Sequence, residues 1–403
     1  MRRPRERRVT RAVVGLLMLA VVGCTVSPEP PPPVGTRPAE ALPGVEIRPL
    51  GAAHGDWAIV LRSASGYGAP DEGEIWAVPL DGGEAKRVIA WTSYGIGAYD
   101  AIRLGLTVVA RQLSPDRRRI VLTVTKYSRA TFGGALAIID LFTGRFASLD
   151  TPNIQMPWRP AWSPDGRRIA FDRYESTFWT GISVIGADNS DLRRLCDASM
   201  VSVGGMGAFR GCYGIDGWTP DSKAVRFYEV DGYSVIDADT GAITRFGVHG
   251  ASLIASDWRE APPAVALGVI EGGELKLMTF DSGGSAPRVL ARVPSGSLGF
   301  FEPRWNPRSG DLLTRRGGEL FVYGSQLSGR RVAAVGCEIR GEWRPDGTEV
   351  VYLAPCLGTG ELHLAAAGVS GGLPATGDRV VWSPPAGGRS DWRVVDLAVV
   401  HYP

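Results

Sequence analysis

The chain lacks the residue groupings from which most catalytic and metal centres are built. Its 403 residues hold only four histidines, His54, His249, His363 and His401, and these stand far apart. No local run therefore offers a metal the converging histidine or carboxylate ligands it needs. No two of the five cysteines form Cys-x-x-Cys, which argues against a thiolate metal site. Asp237-Ala238-Asp239-Thr240-Gly241 and Asp188-Asn189-Ser190-Asp191 lack the EF-hand spacing and its distal glutamate, and read as turns. Gly368-Val369-Ser370-Gly371-Gly372 matches the Gly-x-Ser-x-Gly nucleophile pattern, but it falls in an expected hairpin turn, not in a strand-to-helix elbow. No catalytic residue, metal ligand or cofactor is expected.

Charge of one sign is missing too. Lysine and arginine number 44, against 42 aspartates and glutamates. The first 23 residues hold six arginines against Glu6 alone; beyond them 38 basic residues meet 41 acidic ones. Nothing basic is left to suggest a nucleic-acid partner. Helical periodicity is absent, and the apolar run Ala12 to Val22, eleven residues long, is too short to span a bilayer comfortably.

What is present is a repeated turn. Ala161-Trp162-Ser163-Pro164-Asp165-Gly166 reads as a strand end and a type I turn, and Arg167-Arg168-Ile169-Ala170-Phe171 begins a new apolar strand. The turn recurs at Leu113-Ser114-Pro115-Asp116, Trp218-Thr219-Pro220-Asp221, Trp305-Asn306-Pro307-Arg308, Trp343-Arg344-Pro345-Asp346-Gly347 and Trp382-Ser383-Pro384-Pro385. Trp258-Arg259-Glu260 is a worn copy. A period of about 40–50 residues, with four short strands per unit, predicts an all-β fold, a β-propeller of four-stranded blades. Seven blades fit best, with six or eight also compatible. Trp392 to Val400 reads as one more strand, which closes the ring by pairing with the N-terminal blade. The anchor tryptophans are expected to fill the wedges between blades.

The Trp-Ser-Pro-Asp-Gly anchor resembles the repeat of TolB-like, WD40-like propellers. In that family the propeller is a docking platform for partner proteins or peptides. Unlike TolB, the chain shows no separate α/β domain before its repeats. Prolyl oligopeptidase-like enzymes join a propeller to a hydrolase domain, for which this sequence has no room.

The first residues carry a second resemblance. A basic stretch to Arg11, the apolar run, and then Val21-Val22-Gly23-Cys24 are similar to a bacterial lipoprotein signal peptide. The resemblance implies cleavage after residue 23 and lipidation of Cys24. Residues 24–44, dense in proline, then form a semi-stiff tether, and 45–403 form the propeller. The protein is expected to be exported, held to the membrane by its lipid anchor, and monomeric.

The other cysteines, Cys196, Cys212, Cys337 and Cys356, are even in number, which favours disulfides in an exported chain. Nearest-neighbour pairing gives Cys196–Cys212 and Cys337–Cys356; other pairings and free thiols stay open. Tyr67, Tyr127, Phe132, Tyr174, Phe178 and Trp179 lie in inter-strand loops that are long in repeats one to three and share one face by symmetry. They are candidates for binding a protein or envelope ligand, or else they pack beneath their own loops. A site assembled at the channel mouth from single residues of several blades would leave no local motif. An enzyme of that kind, or a sugar-binding or sensory lipoprotein, is the alternative reading.

Overall fold

The computed structural model describes residues 44–63, 72–92, 101–105, 109–127, 132–175, 178–203, 206–229, 232–246, 252–259, 263–281, 287–294, 302–324, 329–334, 339–354, 361–366, 379–385 and 393–403. Every structural statement below concerns these residues. All lie in one unit, Pro33–Pro403. They form seven antiparallel sheets and one short helix, Val109–Gln112.

Each sheet is a blade, and its strands follow one another outward from the channel. Blade two runs Ala101–Gly105, Arg119–Tyr127, Phe132–Asp140 and Phe146–Leu149. Blade three runs Met156–Trp162, Arg168–Glu175, Phe178–Gly186 and Arg193–Val203, and adds a fifth strand, Met206–Gly211. The inner strands of blades four to seven are Tyr213–Trp218, Ser252–Arg259, Arg304–Trp305 and Arg340–Trp343. Blade one takes its inner strand from the other end of the chain. Arg393–Tyr402 pairs antiparallel with Gly55–Ser63, as the sequence led us to expect. Val45–Ile47 then covers that blade's outer edge. The inner edge of blade one is thus paired within the chain rather than left open to other strands.

The strands read as nearly continuous apolar runs because both faces of a blade are covered. Ile59 and Leu61 pack toward blade two, whereas Ala58 and Val60, one residue away each, pack toward blade seven. The core is accordingly seven apolar layers, one in each gap between neighbouring blades. This is how a chain of 403 residues avoids splitting into smaller domains.

The anchors sit where the inner strand turns into the second. Ser163 Oγ accepts from the Arg168 amide at 2.9 Å and donates to Asp165 at 2.6 Å; the Gly166 amide donates to Ser163 O at 2.9 Å. Thr219 and Ser114 repeat the pattern. The anchor tryptophans join blades by hydrogen bonds as well as by packing. Trp218 Nε1 donates to Ala161 O at 3.0 Å, and Trp343 Nε1 to Arg304 O at 2.9 Å, each across a blade gap. Arg119 and Arg168 lie over Trp162 and Trp218 of the next blade, both 5.1 Å from the ring centre. Such contacts contribute about 0.5–1 kcal/mol each.

Two expectations are corrected. Trp382 is no anchor: it ends the outermost strand of blade seven, Arg379–Trp382, and packs 5.7 Å from Trp76 of blade one. Its Ser-Pro neighbours imitate the motif, but the strand it ends is not an inner one, and the next inner strand begins only at Arg393. The third inter-strand loop is not long either. Tyr174 pairs with Trp179 and Glu175 with Phe178, leaving two residues between the strands.

Candidate functional site at the channel mouth

The inner strands carry polar residues where they meet around the channel, because an extended strand alternates its side chains between its two faces. A cavity of about 570 Å³ opens there among the anchor turns, beside Pro115, Pro307 and Pro345. Its charged lining comes from widely separated positions: Arg111, Arg117, Arg226, Asp257, Arg304 and Glu342. Arg111 arrives on the short helix, whose first amide, Val109, donates to Asp396 Oδ2 at 2.7 Å. That carboxylate satisfies one of the unpaired N–H groups of the helix start.

Behind the lining lies Asp216, fully buried on the inner strand of blade four. It accepts from Arg111 and Ser256, from Tyr228 Oη at 2.7 Å and from Tyr233 Oη at 2.7 Å. Arg226 stands 3.5 Å away. Burial disfavours the charge of Asp216, but Arg111 and Arg226 outweigh it and hold the carboxyl well below its usual range. Burial raises both tyrosines, and Asp216 adds to the effect. They remain neutral donors.

The second cluster is Arg304, Glu342 and Asp257. Arg304 Nε donates to Glu342 Oε1 at 2.6 Å, and the Trp305 amide donates to Asp257 Oδ2 at 2.6 Å. Burial pushes the Glu342 carboxyl up to about 7 against the opposing pull of Arg304, and nearby Asp257 and Asp396 add to the rise. Asp257 is raised by burial too, with Arg304 opposing.

Arg117 differs from the other cations. It occupies the fourth position of the blade-two anchor turn, where blades three and seven have Gly166 and Gly347 and blade four has Ser222. All four adopt positive φ, at +60°, +71°, +74° and +61°. The left-handed region is costly for an L-residue with a side chain and nearly free for glycine. Arg117 lines the cavity, and among the described residues its guanidinium has no hydrogen-bond or ion-pair partner. Burial lowers its pKa from the ordinary guanidinium value.

Of the aromatic candidates, Tyr127 pairs with Phe132 at the tip of one hairpin in blade two. Tyr174, Phe178 and Trp179 share the matching hairpin tip of blade three. The two tips belong to consecutive blades and lie at the opposite end of the strands from the anchor turns. Tyr67 lies outside the described residues, as do Cys24, Cys337, Cys356 and Ser370. Cys196 and Cys212 form a disulfide with a Cα–Cα distance of 6.1 Å. It ties the fourth strand of blade three to the segment entering blade four.

Sequence reasoning missed the charged lining. Its members are single residues, separated by most of the chain, and each looks ordinary in its own strand. Arg117 alone left a trace, as an arginine where two sister turns have glycine. Among the described residues no three His, Cys, Asp or Glu side chains gather where a metal ion could sit. No helix among them is long and apolar enough to cross a membrane.

No family model and no curated protein matches the sequence. Solved structures do. The periplasmic gluconolactonase of Pseudomonas aeruginosa superposes with a TM-score of 0.52 at 16% identity, covering 86% of this chain and 99% of that one. The fold is a seven-bladed propeller with anchors like those of TolB-like, WD40-like repeats. A prolyl endopeptidase structure matches with a TM-score of 0.50 at 14% identity, over 78% of this chain and 47% of that one. TolB from Acinetobacter baumannii gives 0.44 at 18% identity, over 69% of this chain and 63% of that one.

Proposed function

We propose that the protein is an exported, lipid-anchored propeller that binds its ligand at the channel mouth. The observation that carries this reading is the cavity of about 570 Å³, into which several blades each contribute a charged side chain. Ligand pockets are typically about 300–1,000 Å³. A rigid closed ring can hold such groups at fixed separations with little reorganisation on binding. The lipobox-like Val21-Val22-Gly23-Cys24 and the proline-rich segment after it support tethering outside the cytoplasm. The periplasmic address of the gluconolactonase that shares the fold agrees with export. The aromatic hairpin tips of blades two and three provide a separate edge for a protein partner.

Photo-crosslinkers placed at Pro345 and at Trp179 of the tethered full chain, irradiated in native envelopes, test the reading. Capture of a small molecule from Pro345 is the expected outcome. Crosslinks from Trp179 alone would move the working site to the aromatic edge. In the same strain Cys24→Ser should release the chain from membranes, and full retention would reject the lipid anchor.

The second reading is an enzyme using the same cavity. Glu342, held near 7 beside Arg304, is a carboxyl able to exchange a proton at neutral pH. Hydrolytic turnover of a lactone, abolished in Glu342→Gln, would favour it over simple binding.

A further inference from the structure

We propose that the channel-mouth ligand is a small polyhydroxylated organic anion, whose carboxylate or phosphate is held by Arg117. The inference rests on the channel-mouth reading above and deepens it. The cavity lining carries four arginines, Arg111, Arg117, Arg226 and Arg304, against two carboxylates, Asp257 and Glu342. Asp216 behind the wall answers Arg111 and Arg226. Arg304 is answered by Glu342. Asp257 lies near Arg304 and Arg226. The four arginines outnumber Asp216, Asp257 and Glu342 by one, and Arg117 is the arginine that forms no ion pair with any of them.

A half-buried guanidinium with no hydrogen-bond or ion-pair partner, only the longer-range attraction of Glu342 and Asp116, is costly to keep, and more so on a left-handed backbone that glycine would adopt freely. Both costs fall on one residue, at the rim of a cavity large enough for an organic molecule. Strained, unsatisfied groups of this kind cluster at ligand sites. Two further lining residues carry buried donors with no acceptor among the described residues, Arg226 Nε and Trp305 Nε1. The unmatched groups are all donors, so the missing partner is an acceptor. An oxyanion is the acceptor that also supplies the missing negative charge.

The lining does not suit a bare inorganic ion alone. Asp257 and Glu342 would repel a compact anion lying among them, but they accept hydrogen bonds from hydroxyl groups. Ser256 adds a hydroxyl to the same wall. Hydroxyls on the ligand's body and an anionic end toward Arg117 satisfy both halves of the cavity.

Calorimetric titration of the purified full chain with gluconate, glucose 6-phosphate and glucose tests the proposal. One or both anions should bind, and glucose should bind at least about tenfold more weakly, the factor expected for one charge-assisted hydrogen bond. Gluconate preference identifies a carboxylate ligand, and glucose 6-phosphate preference a phosphate. Arg117→Gly should fold normally, since its backbone suits glycine, and should lose about tenfold in anion affinity. Arg117→Lys should recover part of that loss. Equal binding of glucose and the anions, unchanged in Arg117→Gly, would overturn the anion assignment and leave the channel-mouth reading standing. Failure of both anions to bind would also overturn it, while crosslinks at Pro345 would still report separately on the channel mouth.

Discussion

Single residues here carry opposed demands of stability and function. Arg117 holds a φ of +60° that two sister turns give to Gly166 and Gly347 and a third to the small Ser222. A side chain in that region costs about 1–2 kcal/mol, and the extra unfolded-state freedom of glycine returns about half of it. Arg117→Gly should therefore stabilise the chain by about 1 kcal/mol in urea denaturation while weakening its ligand. Destabilisation instead would mean that the guanidinium holds the fold. Asp216 is the reverse case. Removing its carboxylate strands Arg111 and Arg226, and breaking a buried pair costs about 3–5 kcal/mol. Asp216→Ala should lose stability on that scale.

Glu342 adds a pH dependence. Its folded pKa, about 7, lies above the unfolded value of 4.5, so the folded chain binds the extra proton between the two. Its contribution is thus greatest at the acid end and is lost as pH rises through about 7. The charged groups around it are Arg304, Asp257, Asp396 and Arg117. Wild type should lose stability relative to Glu342→Gln between pH 4.5 and 7, and parallel curves for the two proteins would contradict the assignment.

At the scale of elements, the legible features were those that repeat. The Trp-x-Pro-Asp turns disclosed the blades because the same type I geometry is needed wherever an inner strand meets the second. The closing strand is legible because Val394 to Val400 is apolar but for Asp396 and follows the last full anchor. Trp382 misled because a tryptophan packing on Trp76 in the outer layer looks, in sequence, like one ending an inner strand. The fifth strand of blade three goes beyond the four per unit that the repeat predicts, although Gly204-Gly205 between Val203 and Met206 is a hairpin signal in the sequence. The charged lining could not be read, since proximity across blades is a property of the ring and not of any segment. The disulfide acts at this scale too. It closes a loop of sequence separation 16, so Cys196→Ser with Cys212→Ser should cost about 3 kcal/mol in the chain-entropy model. An unchanged denaturation midpoint would show that the bridge constrains little.

For the whole molecule, ring closure is what turns seven small sheets into one scaffold. Arg344 shows how the seam is held. Standing where blade three has Ser163, it bonds Asp56, Asp81 and Glu349, joining blade seven to blade one beside the closing strand. Deleting residues 393–403 should expose the edge of Gly55–Ser63 and strip Leu397, Ala398 and Val400 from the two apolar layers beside it, uncovering Ile59 and Val60. The truncated chain is expected to aggregate, as seen by light scattering. A monodisperse, cooperatively folding truncation would show that the ring does not depend on its seam.

The ring's purpose in this account is to gather distant charges round one opening and leave a single arginine for the ligand. Crystals of the full chain soaked in gluconate and in glucose 6-phosphate test that most directly. The expected result is difference density for one of them in the channel mouth, its carboxylate or phosphate within hydrogen-bonding distance of the Arg117 guanidinium, inside a ring of seven blades. A channel mouth without that density, or Arg117 paired to a protein carboxylate, would contradict it.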